Sequence, residues 1–85
     1  MQVVTPIEHV ETETLLILSK ISEQKKHLND IFKKYKVDRV ELIEDMIASG
    51  KIKEHPGYED YLSALAYKQN IADLKEMLNN LIKKI

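Results

Sequence analysis

The sequence predicts an all-α protein in which two long helices form an antiparallel hairpin, joined through a short middle helix. Three observations carry this prediction. An uninterrupted helical pattern spans residues 5–35, Gly50 marks a sharp stop, and no glycine or proline follows Gly57. Because 85 residues form one modest hydrophobic core, we expect a single helical domain over residues 1–85.

The first predicted helix covers about residues 6–36 and carries one long apolar stripe. The residues of the stripe follow one another at alternating steps of three and four, which is the heptad spacing of a coiled coil. Its members are Ile7, Val10, Thr14, Ile17, Ile21, Gln24, Leu28, Ile31 and Tyr35. Thr5 is expected to cap this helix, with Pro6 at the first helical position and Glu8 as the capping-box partner. A rod about 45 Å long needs a partner of similar length to cover its stripe.

The second predicted helix is short and covers about residues 39–49. Asp38 is expected as its N-cap, with Glu41 as the capping-box partner. Gly50 is expected to end the helix in the left-handed conformation, and Ile52 to fold back on Met46, as in a Schellman motif.

The third predicted helix covers about residues 56–84, with Pro56 at its first position. Its apolar residues change face near Gln69 and Asn70 when each residue is turned by about 100°. Either the helix kinks at that point, or its two halves pack on different neighbours.

Surplus apolar faces predict self-association. Leu15 and Leu16 lie off the main stripe of the first helix, so residues 15–18 are apolar on every side and need cover on every side. Three helices of one subunit can hardly supply that cover. We therefore expect a homodimer or tetramer with a four-helix core, although recognition of a different protein would leave the same pattern. The expected interface residues are Leu15, Leu16, Leu18, Ile71, Leu74, Leu78 and Leu81.

The composition limits the cellular and chemical possibilities. Cysteine is absent, which excludes disulfides and thiolate metal sites and is compatible with a reducing compartment. The amino terminus lacks the basic and apolar regions of a signal peptide. The longest apolar run, residues 15–18, is far below the roughly twenty residues of a membrane span. We expect a cytoplasmic protein that does not bind membranes.

A basic segment between residues 25 and 39 suggests phosphate binding. The net charge is −1, yet this segment holds six lysines and arginines against two aspartates. The candidate phosphate contacts are Lys26, Lys33, Lys34, Lys36 and Arg39. Pairing with Asp30 at i,i+4 spacing and the helix dipole explain the lysines equally well. Arg39 is the single arginine, so binding to nucleic acid is the alternative and not the favoured function.

Two further groups of residues raise the question of metal binding or acid–base catalysis. The three histidines form neither Glu-x-x-His nor His-x-x-x-His, so no metal or cofactor is expected. The segment with His55, Tyr58, Glu59 and Tyr61 combines an imidazole, a carboxylate and two phenols, and is the candidate partner surface. We expect an interaction or scaffold protein without enzymatic activity, with nucleic-acid association as the alternative and a small dimeric helical enzyme as the second alternative.

Overall fold

The computed structural model describes residues 6–83, with side chains described from residue 11 onward. It contains α1 (Pro6–Tyr35), α2 (Val40–Ala48) and α3 (Glu54–Ile82). All regular secondary structure within residues 6–83 is helical, which confirms the all-α prediction. The expected cap at Thr5 and residue 84, the predicted end of the third helix, lie outside the described residues.

α1 and α3 pack side by side in opposite directions. Gln24 accepts a hydrogen bond from Asn70 at 2.9 Å, and Lys34 reaches Asp60 at 2.7 Å, so residue numbers rise along one helix as they fall along the other. The molecule measures 64 × 19 × 17 Å. We use "closed end" for residues 31–64, where the chain turns and α2 packs on α3, and "open end" for residues 11–24 and 70–82.

The hydrophobic core has two parts, which differ in how completely their side chains are shielded from water. At the closed end Val40, Ile43 and Ala64 are 2%, 0% and 0% exposed. At the open end the buried residues retain more exposure, with Ile21 at 6% and Ile17 at 9%. Ile71 and Leu81 complete the open-end cluster. Three helices enclose the first cluster and only two enclose the second, which explains the difference.

The end of α2 confirms the predicted Schellman motif. Gly50 has φ +73°, and its N–H bonds to the carbonyl of Ile47 at 3.1 Å. The N–H of Lys51 reaches the carbonyl of Met46 at 2.9 Å, and the N–H of Ile52 bonds to the same carbonyl at 3.3 Å. These bonds satisfy carbonyls that the end of the helix would otherwise leave unpaired.

α1 ends with the same motif, although no glycine marks it. Lys36 has φ +56°, and the N–H of Val37 bonds to the carbonyl of Phe32 at 3.0 Å. A side chain at positive φ is unfavourable. The tight turn that brings Val37 back toward α2 therefore forms even though Lys36, the residue at its centre, is unfavourable at positive φ.

One prediction about helix boundaries requires correction, and one pair of alternatives is decided. Asp38 is not the N-cap of α2, because the helix begins one residue later and Arg39 occupies the cap position with extended backbone and no side-chain capping bond. α3 does not kink at Gln69 and Asn70. Its one non-helical residue is His55, so regular helix runs from Pro56, as predicted. The other alternative holds: the first half of α3 packs on α2 through Ala64, and the second half packs on α1.

Candidate functional site

The open end exposes most of the large apolar side chains that the core leaves uncovered. Leu15, Leu16 and Leu18 are 68%, 58% and 44% exposed, and Met77 and Ile82 are about half exposed. A two-helix hairpin has no third layer to cover these side chains. Such a concentration of exposed apolar side chains is typical of an interaction surface.

The structure divides the seven predicted interface residues into two groups. Ile71 and Leu81 are buried against Ile17 and Ile21, and Leu74 and Leu78 pack on the same cluster. These four residues of α3 therefore line the hairpin's own core, whereas the three leucines of α1 face outward. Met77 and Ile82 were not among the interface residues predicted from the sequence, because the apolar spacing of α3 does not reveal which of its positions α1 covers.

A surface groove of about 590 Å³ runs along α1 next to Leu18. All of its lining residues belong to α1. Ile21 among them is buried against α3, whereas Leu18, Ser22 and Lys25 are exposed. Its lining combines apolar and mostly basic side chains: Leu18, Ile21, Ser22, Lys25, Lys26, Asn29, Asp30 and Lys33.

The structure places the predicted phosphate contacts in different surroundings. Lys26 and Lys33 line the α1 groove. Lys34 instead bonds to Asp60 of α3, and Lys36 and Arg39 lie in the connection between α1 and α2. Lys33 and Lys36 also line a second surface pocket together, so Lys26, Lys33 and Lys36 lie along adjoining pockets. Within the described residues, Lys34 is the one of the five that is paired with a carboxylate of another helix.

Lys34, Tyr35 and Asp60 form a polar cluster at the closed end. The Lys34 ammonium and the Tyr35 hydroxyl both donate to the Asp60 carboxylate. These two bonds lower the pKa of Asp60, with the bond from Lys34 the larger cause. Burial and the bond to Asp60 raise the pKa of Tyr35. The cluster joins α1 to α3 across 26 positions of sequence, so residue spacing offered no signal for it.

The corner that contains His55, Tyr58, Glu59 and Tyr61 is exposed. His55 Nδ1 lies 2.6 Å from Glu59 Oε1, with the two side chains 75% and 56% exposed. A backbone hydrogen bond and the bond to His55 lower the pKa of Glu59. The Tyr61 hydroxyl donates to Glu44 of α2, and its ring lies 6.4 Å from that of Tyr58. One of these bonds lies within α3, and the other joins α3 to α2.

Three kinds of feature are absent from the described part of the chain. No group of three His, Asp or Glu side chains is placed to hold a metal ion within the described residues. None of the polar or charged side chains described from residue 11 to 83 is buried. Among the described helices, none combines the length and the apolar character that a membrane crossing requires.

The chain belongs to the Uncharacterized protein MJ0235 family, whose family model matches residues 1–85. No curated protein and no solved structure matches the chain.

Proposed function

We propose that this protein is a non-enzymatic interaction or scaffold module that functions as a homodimer joined through its open end. The observation that carries the proposal is the contrast between the two ends. The closed end buries Ile43 and Ala64 completely, whereas at the open end Leu15 is 68% and Leu18 44% exposed. Apolar surface of this kind is stabilised when another protein surface removes it from water.

The total surface supports the same conclusion. The accessible surface is 6594 Å², whereas a compact monomer of 9.9 kDa exposes about 5200 Å². The excess exceeds the roughly 800 Å² that each partner contributes to a standard protein interface. The excess follows from the elongated shape of 64 × 19 × 17 Å and leaves enough surface for an interface of standard size.

Absolute mass in solution tests the proposal. Light scattering behind a sizing column, over protein concentrations from about 1 to 100 μM, is expected to show twice the chain mass of 9.9 kDa in the upper part of this range. A mass of one chain at every concentration would overturn the proposal. In that case a partner of different sequence would have to cover the open end.

Nucleic-acid association is a second candidate, supported by the lysines of the α1 groove. Lys25, Lys26 and Lys33 line one face of a single helix and can follow a phosphate backbone. Titration with labelled single-stranded and duplex DNA or RNA at about 20 mM and about 200 mM salt tests it, because phosphate contacts weaken steeply with salt. Lack of binding at the lower salt concentration would reject this candidate.

A further inference from the structure

We infer that the second copy packs along α1 in antiparallel orientation, about a two-fold axis close to Leu15 and Leu18. The contact surface is the outer face of α1, defined by Glu11, Leu15, Leu18, Ser22 and Lys25. This inference rests on the proposed function and specifies the face, the direction and the register of the dimer.

The outer face has the spacing of a second helix-packing stripe. Its five residues follow one another at steps of four, three, four and three, so they line up along one side of the helix. Ile17, Ile21 and Leu28, which pack toward α3, occupy a different side. All five members of the outer face are exposed, Leu15 at 68% and Leu18 at 44%. α1 therefore carries one stripe for its own hairpin and a second that has no cover within the subunit.

The charges along the outer face are self-complementary in the antiparallel direction. Glu11 lies about one turn before the two leucines, whereas Lys25 and Lys26 lie about two turns after them. A two-fold axis at the leucines turns the acidic end of one copy toward the basic end of the other. A parallel arrangement would instead place Glu11 beside Glu11 and Lys25 beside Lys25, which is unfavourable.

The apolar residues define the register. In an antiparallel helix pair, Leu15 of one copy lies opposite Leu18 of the second copy when the apolar positions interdigitate. Glu11 then lies opposite Ser22 of the second copy. Lys25 and Lys26 of that copy are within about one helical turn of Glu11, which long side chains span easily. Each dimer would contain this acidic–basic contact twice.

Leu16 does not belong to the outer face. The proposed contact therefore omits one of the α1 leucines that the sequence predicted at the interface. Leu16 follows Leu15 directly and therefore projects about 100° away from it around the helix axis. It is 58% exposed, close to the 68% of Leu15. Leu16 is a matched internal control, with the same chemistry and nearly the same exposure on another face.

Cysteine cross-linking tests direction and register, because the natural chain has no cysteine. We would mix the single variants Glu11→Cys and Ser22→Cys and oxidise the mixture. The antiparallel register predicts a mixed disulfide between the two variants. It predicts no disulfide-linked dimer when either variant is oxidised alone. In the antiparallel dimer the same position of the two copies would be about 16 Å apart along the axis, beyond disulfide reach.

The outcomes of cross-linking separate this inference from the proposed function. Disulfides between two copies of the same single variant would indicate a parallel dimer and overturn the register. If the wild type is a dimer by mass but the mixed cysteine variants form no disulfide, the choice of face would be overturned. Either result would leave the proposed homodimer intact, whereas a monomeric wild type would reject both.

Charge and leucine variants test the contacts themselves. Glu11→Lys is expected to raise the dimer dissociation constant roughly tenfold, and Lys25→Glu with Lys26→Glu in the same chain is expected to restore much of the loss. Glu13→Lys makes the same charge change off the outer face and serves as the control. Leu15→Glu is expected to abolish dimerisation at about 100 μM, with Leu16→Glu remaining dimeric and both retaining their helical circular dichroism. The reverse ranking of the two leucine variants would overturn the inference.

Discussion

The closed and open ends of the hairpin use the same α1 and α3 but differ in the number of layers. At the closed end α2 adds a third helix, so Ile43 and Ala64 reach 0% exposure. At the open end two helices pack without further cover, and Ile17 and Ile71 each retain 9%. Two helices can bury one stripe each but cannot shield their outer faces. The position of α2 therefore decides which end has a three-helix core. The closed end still exposes apolar surface, with Leu62 46% exposed, but the two most exposed large apolar side chains of the described residues, Leu15 and Leu16, lie at the open end.

The largest expected difference between the ends comes from truncating their core residues. Ile43→Ala is expected to lower the free energy of unfolding by about 3 kcal/mol, because the cavity forms within three packed helices. Ile17→Ala makes the same change at the open end and should cost about 1 kcal/mol less, since water can reach the site more easily. Urea denaturation of both variants at one protein concentration measures the difference. Equal losses would show that the open end is packed as tightly as the closed end.

The end of α2 fastens the closed end, and Gly50→Val tests its contribution. The variant is expected to lose about 1 kcal/mol or more, because a β-branched residue is unfavourable at φ +73°. A Cβ at this position would meet no atom within 4 Å, so the loss would come from the backbone conformation alone. Thermal melting measures it, with Gly50→Asn as the control because asparagine tolerates this conformation. A Gly50→Val variant as stable as wild type would contradict the expectation.

Asp60 makes the stability of the closed end depend on pH. Asp60→Asn is expected to cost about 1 kcal/mol at pH 7, because it weakens the bonds from Lys34 and Tyr35. The pKa of Asp60 is lowered in the fold, so its charged form stabilises the protein above about pH 4. This contribution is lost as the pH falls through the lowered pKa.

Urea titrations at pH 7 and about pH 2.5 measure this dependence. The difference between wild type and Asp60→Asn should shrink at the lower pH. Asp73→Asn is the control, because the Asp73 carboxylate bonds to Gln69 within α3 and does not join two helices. A difference that stays constant with pH would mean that the Asp60 charge does not stabilise the closed end.

The smallest expected effect is a gain in stability at the end of α1. Lys36→Gly is expected to raise the free energy of unfolding by roughly 0.5 kcal/mol, because glycine adopts φ +56° without steric cost but loses more chain entropy on folding. Lys33→Gly, three residues earlier within the helix, is expected to cost about 1 kcal/mol. Chemical denaturation of the two variants gives opposite signs if Lys36 occupies the left-handed position. Destabilisation by both would contradict that assignment.

The candidate site was predictable in part. The apolar run at residues 15–18 predicted apolar surface beyond what one subunit can cover, and the three leucines of this run are exposed in the structure. That this surface is an interface stays a prediction. The same reasoning placed Ile71 and Leu81 at the interface, whereas they pack inside the hairpin. Periodicity shows which residues share a helix face, but it does not show whether that face meets the same chain or another.

Local signals in the chain were sufficient to predict the three helices and the stop at Gly50, because helix periodicity, proline and glycine act over a few residues. Packing between distant segments was needed to place α2 over one end of the hairpin and to leave the other end two helices thick. Packing also paired Lys34 with Asp60. These features depend on contacts between residues far apart in the chain, whose free energies arise only when the helices pack together.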